Sequence, residues 1–175
     1  MEFELDKAIS VLQTTPSILR AWLGQLPIEW VLDNNGEGTW SPFDVVGHLI
    51  HGEKTDWIPR AEIILSEMKS KEFNPFNRFA MLTDSQAKSI QELLDQFDTL
   101  RRRSILHLRE FHLAEAHFDK TCIHPTLGKV TLRQLLSTWV AHDLNHLGQI
   151  AEVMARQYKL EVGPWKELLD ILGPD

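Results

Sequence analysis

TLRQLLSTWVAHDLNHLGQI, residues 131–150, decides the fold. Thr131 and Gln134 stand three apart as a capping pair, in which hydroxyl and amide each satisfy one of the backbone donors left orphaned at a helix start. From there Leu132, Leu135, Trp139, His142, His146, Ile150 and Val153 recur at spacings of three and four, the period of one helical face. The pattern predicts a helix to about Tyr158, with Gly163-Pro164 separating it from a final short helix that ends at Leu172. A long helix with an apolar seam belongs in a bundle, where neighbouring helices cover that seam. Two seam positions are histidines. Residues four apart lie about 40° apart around the axis and about 6 Å along it, so both imidazoles of H-D-L-N-H reach one point in the interior.

Upstream, the chain reads the same way. Thr83 and Gln86 form another capping pair, and Ile90, Leu93, Leu94, Phe97, Leu100, Ser104, Leu108 and Phe111 follow at bundle spacing. Ser41, Pro42 and Asp44 predict a helix start by cap, first-turn proline and a variant capping box, with the helix running to about residue 69 and kinked at Pro59. Leu5, Ala8, Ile9 and Leu12 share one face of a first helix over residues 2–14. Thr15-Pro16 reads as the start of a separate short helix that ends by Pro27. Asp33-Asn34-Asn35-Gly36 is a loop, Phe73, Phe76 and Phe79 are aromatics expected to plug one end of the core, and residues 114–130 offer the only strand-like material, a short hairpin. Four long helices without repeats or linkers predict an all-α four-helix bundle with short extra helices, as a single domain over residues 1–175.

Composition narrows the function. Eighteen Lys and Arg against 25 Asp and Glu give a net charge of −7, which opposes binding to nucleic acid phosphates. Arg101-Arg102-Arg103 is the one dense basic run, and consecutive helical side chains fan over a wide arc, so it reads as a solvated face. No run approaches the roughly 18 apolar residues of a membrane span, and the first ten residues are too acidic for a signal peptide; a cytoplasmic protein is expected. The single cysteine, Cys122, fits a reducing compartment and is read as unreactive.

Two histidines are too few for firm metal binding, so a third ligand is expected from a facing helix. His48, among Val45, Val46, Leu49 and Ile50 with Gly52 leaving room beside it, is preferred over His51, three residues on. Carboxylate di-iron bundles are set aside, since they need paired Glu-x-x-His motifs. His107, His112 and His117 spiral around a helix and share no face. H-D-x-x-H is a near relative of the zinc-protease H-E-x-x-H, which would make Asp143 a base and call for a downstream Glu such as Glu167; Asp143 and Asn145 otherwise read as supporting or surface groups. Trp57 or Trp139 could line a pocket, although core packing is the ordinary reading. Arg60, one turn beyond Asp56, reads as half of a surface salt bridge or as a contact for an anionic substrate.

Together, W-S-P-F-D-V-V-G-H-L-I-H-G-E from Trp40 to Glu53, T-L-R-Q-L-L from Thr131, H-D-L-N-H-L-G-Q-I from His142 and G-P-W from Gly163 resemble the DinB-like superfamily over nearly the whole chain. The resemblance implies a four-helix bundle with an unusual helix order, often a homodimer, and a metal triad at His48, His142 and His146. Relatives include thiol S-transferases that use bacillithiol or related low-molecular-weight thiols, and a mycothiol-dependent isomerase. The expectation is therefore one divalent ion, zinc or nickel, with an open position where a thiol could bind as thiolate and attack a small electrophilic substrate. The alternatives are a hydrolase using metal-activated water and a non-catalytic metal-binding stress protein.

Overall fold

A computed structural model of the chain describes residues 2–75 and 87–173. Four long helices carry the bundle: α1 (Leu5–Leu23), α3 (Pro42–Thr55), α5 (Ile90–Glu110) and α6 (Leu132–Arg156). Shorter helices α2 (Ile28–Leu32) and α4 (Trp57–Leu65) flank α3, and two 3-10 turns, Gly163–Leu168 and Asp170–Leu172, follow α6. The expected hairpin is present as β1 (Thr121–His124) and β2 (Gly128–Thr131), antiparallel with Cys122 opposite Val130. No helix among the described residues is long and apolar enough to cross a membrane.

Caps act where the sequence places them. Ser41 Oγ accepts from the Asp44 backbone N–H and the Asp44 carboxylate accepts from Ser41 N, while Thr131 and Gln134 make the same reciprocal pair at α6. The Thr83–Gln86 pair lies outside the described residues; α5 begins at Ile90 and is capped by Ser89 with Glu92. Phe73 is buried, and Phe76 and Phe79 lie outside the described residues.

Two expectations fail in instructive ways. Thr15-Pro16 starts no new helix, because α1 runs unbroken through Pro16 to Leu23. Proline denies a hydrogen bond to the carbonyl four residues back. That carbonyl, on Leu12, instead accepts from Arg101 Nη1 at 2.8 Å. Nor is there one kinked helix over residues 41–69: the chain breaks at Asp56, three residues ahead of Pro59, and α4 stops at Leu65. Asp56 is distorted within the right-handed region, at φ −113°, ψ −70°, while its N–H still donates to Gly52 O at 2.9 Å, so the distortion falls in the turn ahead of Pro59, which has no N–H to offer Thr55 O.

The interior is layered. One apolar cluster contains Ile9, Leu12, Trp57, Ile105 and Trp139; a second contains Leu19, Ile50, Leu93, Phe97 and Ile150. α1 and α6 run from the first cluster toward the second, and α3 and α5 run the opposite way, so the bundle is not a simple up-down alternation. Between the clusters lies a polar layer with one residue from each long helix: Thr15, Glu53, Arg101 and Asp143, all buried. Arg101 is the hub. Its Nε donates to Glu53 Oε1 at 2.9 Å, and its Nη1 and Nη2 donate to the two Asp143 oxygens at 2.5 and 3.0 Å. Thr15 Oγ1 donates to Asp143 at 2.6 Å, and Trp139 Nε1 to Glu53 at 3.2 Å.

Arg101 therefore departs from the solvated face expected for the arginine run; it is 1% exposed, whereas Arg102 and Arg103 do face solvent. Burial disfavours its charge, but Glu53 and Asp143 outweigh that and hold its pKa above the usual value. Burial pushes the Glu53 carboxyl up, against the pull of Arg101.

Candidate metal centre

Three histidines meet beside this layer. His48 projects from α3, and His142 and His146 project from successive turns of α6. His142 Nε2 lies 3.0 Å from His48 Nε2 and 3.1 Å from His146 Nε2. One ligand atom from each lies within 4.8 Å of the others. His51, the alternative on α3, is buried but outside this cluster.

The rings are held from outside. Trp40, one residue before the α3 cap, packs on His48 at 4.9 Å between centroids and stacks on His146 at 6.3 Å. Trp57 meets His142 edge-on at 5.0 Å and stacks on the buried Trp139 behind it at 5.6 Å. Gly52 permits this close fit: a Cβ there would lie 3.2 Å from Trp57 Nε1, so the room beside His48 is filled by indole. His146 Nδ1 donates to Gln149 Oε1 at 2.8 Å, which places the ring proton on Nδ1 and leaves the Nε2 lone pair facing its neighbours. Gln149 was visible in the sequence only as the residue one turn after His146 on the same face.

Electrostatics keep all three rings neutral. Burial first, then the neighbouring imidazoles, push His48 down to about 3; burial, His146 and Arg101 do the same to His142, also to about 3. Burial lowers His146 as well, against the Gln149 hydrogen bond and the Asp143 charge. Neutral imidazoles offer lone pairs, which suits metal ligation. The spacing fits too, since nitrogens at about 2.0–2.1 Å from one ion are separated by roughly 2.9–3.4 Å for angles between octahedral and tetrahedral. His142 Nδ1 is buried without a hydrogen-bond partner among the described residues.

The zinc-protease analogy is not supported. Asp143 follows His142 by one residue, about 100° around the helix. Its carboxylate is turned into the polar layer toward Arg101 and Thr15. Glu167 is exposed in the C-terminal turns. Neither a base nor a carboxylate ligand comes from those positions.

The triad forms part of the wall of a cavity of 440 Å³. Trp40, Trp57, Phe73, Val130 and Leu135 give it apolar walls, and Gln134 and Thr138 line it two turns and one turn before His142 on α6. Asp56 and Arg60 also line it, paired at 2.5 Å and each only 12% exposed, so their ion pair belongs to the cavity rather than to the surface. Of the two tryptophans considered, Trp57 reaches the cavity and Trp139 is core. Cys122 is buried on β1 outside the cavity, and burial raises its thiol pKa. A larger hollow of 660 Å³ lies between α1 and α5 against Arg20, Arg102 and Arg109, and no histidine lines it.

Comparison with known proteins agrees with this architecture. The family model of the DinB superfamily matches residues 12–150. A Bacillus licheniformis protein named "putative metal-dependent hydrolase" is 31% identical over 152 residues, covering 85% of this chain and 84% of that one. Among solved structures, YfiT from Bacillus subtilis superposes with a TM-score of 0.74 at 24% identity, over 90% of this chain and 94% of that one. It is described as a probable metal-dependent hydrolase with an unusual four-helix bundle topology.

Proposed function

Because the chain belongs to the DinB superfamily, we propose that it is a metal-dependent hydrolase of a small organic molecule, with His48, His142 and His146 as ligands of one divalent ion, zinc or nickel. The observation that carries this reading is the convergence of three neutral Nε2 atoms beside a cavity of ligand size. Bound there, such an ion supplies Lewis acidity and lowers the pKa of a coordinated water toward neutrality. Three imidazoles add no negative charge, so the ion's full charge is left for that work. The 31% identical relative, through its name, supports the hydrolase assignment.

The chain's own residues have definable parts. Gln149 fixes the His146 tautomer, and Trp40 and Trp57 hold the ligand rings and keep bulk water from them. Gln134 and Thr138 provide an amide and a hydroxyl on the cavity wall to orient a substrate oxygen.

One observation favours a second reading, transfer of a low-molecular-weight thiol to an electrophile. Asp56, the carboxylate among the cavity-lining residues, is tied to Arg60, so no free carboxylate there is available as a base. A thiol would need none, because an ion held by the three histidines would itself lower the thiol pKa toward neutrality. With Cys122 buried elsewhere, that thiol comes from outside the protein. We further assign a homodimer, for which exposed Leu160, Trp165 and Leu168 offer apolar surface; light scattering tests it.

The experiment is metal analysis of protein purified without a nickel column, then zinc- and nickel-loaded protein offered esters and amides, and separately a thiol panel with a haloarene. Hydrolysis lost in His142→Ala supports the first reading, and thiol-dependent turnover lost in the same variant supports the second. Metal binding without either turnover sinks both and leaves a non-catalytic metal protein. An unaltered metal content after all three His→Ala substitutions removes the ligand assignment.

A further inference from the structure

We propose that Arg60 is an anion-recognition site, and that the cavity takes a molecule with an apolar body and a single carboxylate at the end away from the His48, His142 and His146 triad. The assignment rests on the reading of the triad as the reaction centre, since it names the substrate class for that cavity.

The backbone sets the layout. His48, Gly52, Asp56 and Arg60 all line the cavity, at intervals of four residues along α3 and α4. Helical hydrogen bonds continue through the distortion at Asp56, from Asp56 N–H to Gly52 O and from Arg60 N–H to Asp56 O, both 2.9 Å, so the helical rise puts the α-carbons of His48 and Arg60 about 18 Å apart. Arginine side chains on helices lean back toward the N-terminus. An apolar span of roughly 10 Å therefore remains between the two polar ends. Trp57, Phe73, Val130 and Leu135 wall that span.

The cation is prepared in advance. Asp56 Oδ1 sits 2.5 Å from Arg60 Nε as an ion pair, and the guanidinium lies over the Phe73 ring at 4.8 Å. Phe73 is itself fixed, because its backbone N–H donates to Ile123 O at 2.9 Å on the hairpin. With Asp56 set against Nε, Nη1 and Nη2 have no hydrogen-bond partner among the described residues. They form the half of a guanidinium fork that meets two carboxylate oxygens.

His124, also on the cavity wall, adds a donor. Its Nδ1 accepts from the backbone N–H groups of Thr126 and Leu127 at 3.2 and 3.3 Å, which leaves the proton of the neutral ring on Nε2. The charge count selects a monoanion. Asp56 and Arg60 together present at most one positive charge, and the Asp56 carboxyl beside the site opposes a second negative charge on the ligand.

Phenylhexanoate, its primary amide and a phenylalkyl phosphonate of equal length, measured by calorimetry, test this. The acid binds wild-type protein roughly tenfold or more tightly than the amide, and the phosphonate binds no tighter than the acid. Arg60→Gln brings acid and amide together, and Arg60→Lys keeps part of the difference. Each result holds in zinc-loaded protein and in protein stripped of metal by chelator. Equal binding of acid and amide to wild-type protein overturns the proposal without needing any variant to fold. So does a preference that survives Arg60→Gln but vanishes with the metal, which would put the carboxylate on the triad and uphold the metal reading alone. A phosphonate that binds more tightly than the acid through Arg60 overturns the assignment to a carboxylate. If the protein takes up no metal and the Arg60-dependent preference persists, the anion site stands and the hydrolase reading falls.

Discussion

Replacing Arg101 with methionine removes the hub of the polar layer and leaves its partners behind. Glu53 and Asp143 lose their shared cation in the bundle interior, and breaking a buried pair from one side costs about 3–5 kcal/mol. Leu12 O, already denied its helical partner by Pro16, loses its remaining donor, which adds about 1–3 kcal/mol. Methionine keeps most of the apolar contact that the arginine stem makes near Phe97 and Trp139, so packing adds little. Proton uptake by the stranded Glu53 carboxyl trims the sum to about 4–6 kcal/mol, a large share of the 5–15 kcal/mol typical of whole proteins. At this size each kcal/mol moves the midpoint by about 2–4 °C, giving a drop of roughly 10–20 °C.

Urea denaturation of metal-free protein, followed by circular dichroism, measures the cost. Its pH dependence is a second signature. Burial already raises Glu53 above its unfolded pKa with Arg101 opposing, and removing Arg101 raises it further. A raised carboxyl contributes stability that is present below the unfolded pKa and lost as pH rises through the folded one. The Arg101→Met deficit is therefore larger at pH 8 than at pH 5. A cost under about 1.5 kcal/mol at pH 7.5, where a buried pair should show its full value, would refute the reasoning.

Acid should destabilise the metal-free site itself. His48 and His142, held down to about 3 in the fold, take up protons below 6.5 when unfolded, so stability present above pH 6.5 is lost as pH falls toward 3. A loss on the order of 2–4 kcal/mol between pH 7 and 5 is expected, reduced in a His48→Gln/His142→Gln variant; equal slopes for the two proteins would contradict it. Pro16→Ala should change stability by less than about 1 kcal/mol, against the roughly 3 kcal/mol usual for a mid-helix proline, because Leu12 O already has a donor in Arg101. A gain near 3 kcal/mol by urea titration would mean that it does not. Gly52→Ala presses a methyl against Trp57, stacked on Trp139 and unable to retreat, and should cost about 1 kcal/mol and alter tryptophan emission; an unchanged spectrum would show that the wall yields freely.

Much of this was legible from residue order because it depends on near neighbours. The Ser41–Asp44 and Thr131–Gln134 pairs are local chemistry, and the i, i+4 spacing of His142 and His146 guarantees that they share a face. His48 could be preferred over His51 because it lies among Val45, Val46, Leu49 and Ile50 with Gly52 one turn on leaving room beside it, although that helix is apolar on too many sides for residue order to fix its rotation. What stayed hidden depends on partners far along the chain. Pro16 looked like a boundary because the donor that rescues Leu12 lies 89 residues away. Arg101 looked solvated between two arginines that are, because its carboxylates sit 48 and 42 residues away on other helices. Asp143 looked like a metal-site accessory for the same reason. Arg60 read as half of a surface salt bridge or as a contact for an anionic substrate; the pair with Asp56 is present, but its place inside a cavity follows from the distortion at Asp56 and from the hairpin that seats Phe73, neither of which has a local signature.

The polar layer also bears on how long the folded state lasts. Its hydrogen bonds join residues 42, 48, 89 and 128 positions apart, so each closes a long loop, and the layer is complete only when all four helices have docked. Interactions that complete after the main barrier leave the folding rate nearly unchanged and slow the escape from the native state. Arg101 then acts as a late latch. Its worth appears chiefly as a slower unfolding limb, and a bundle that lacked it would assemble at a similar speed and come apart far sooner.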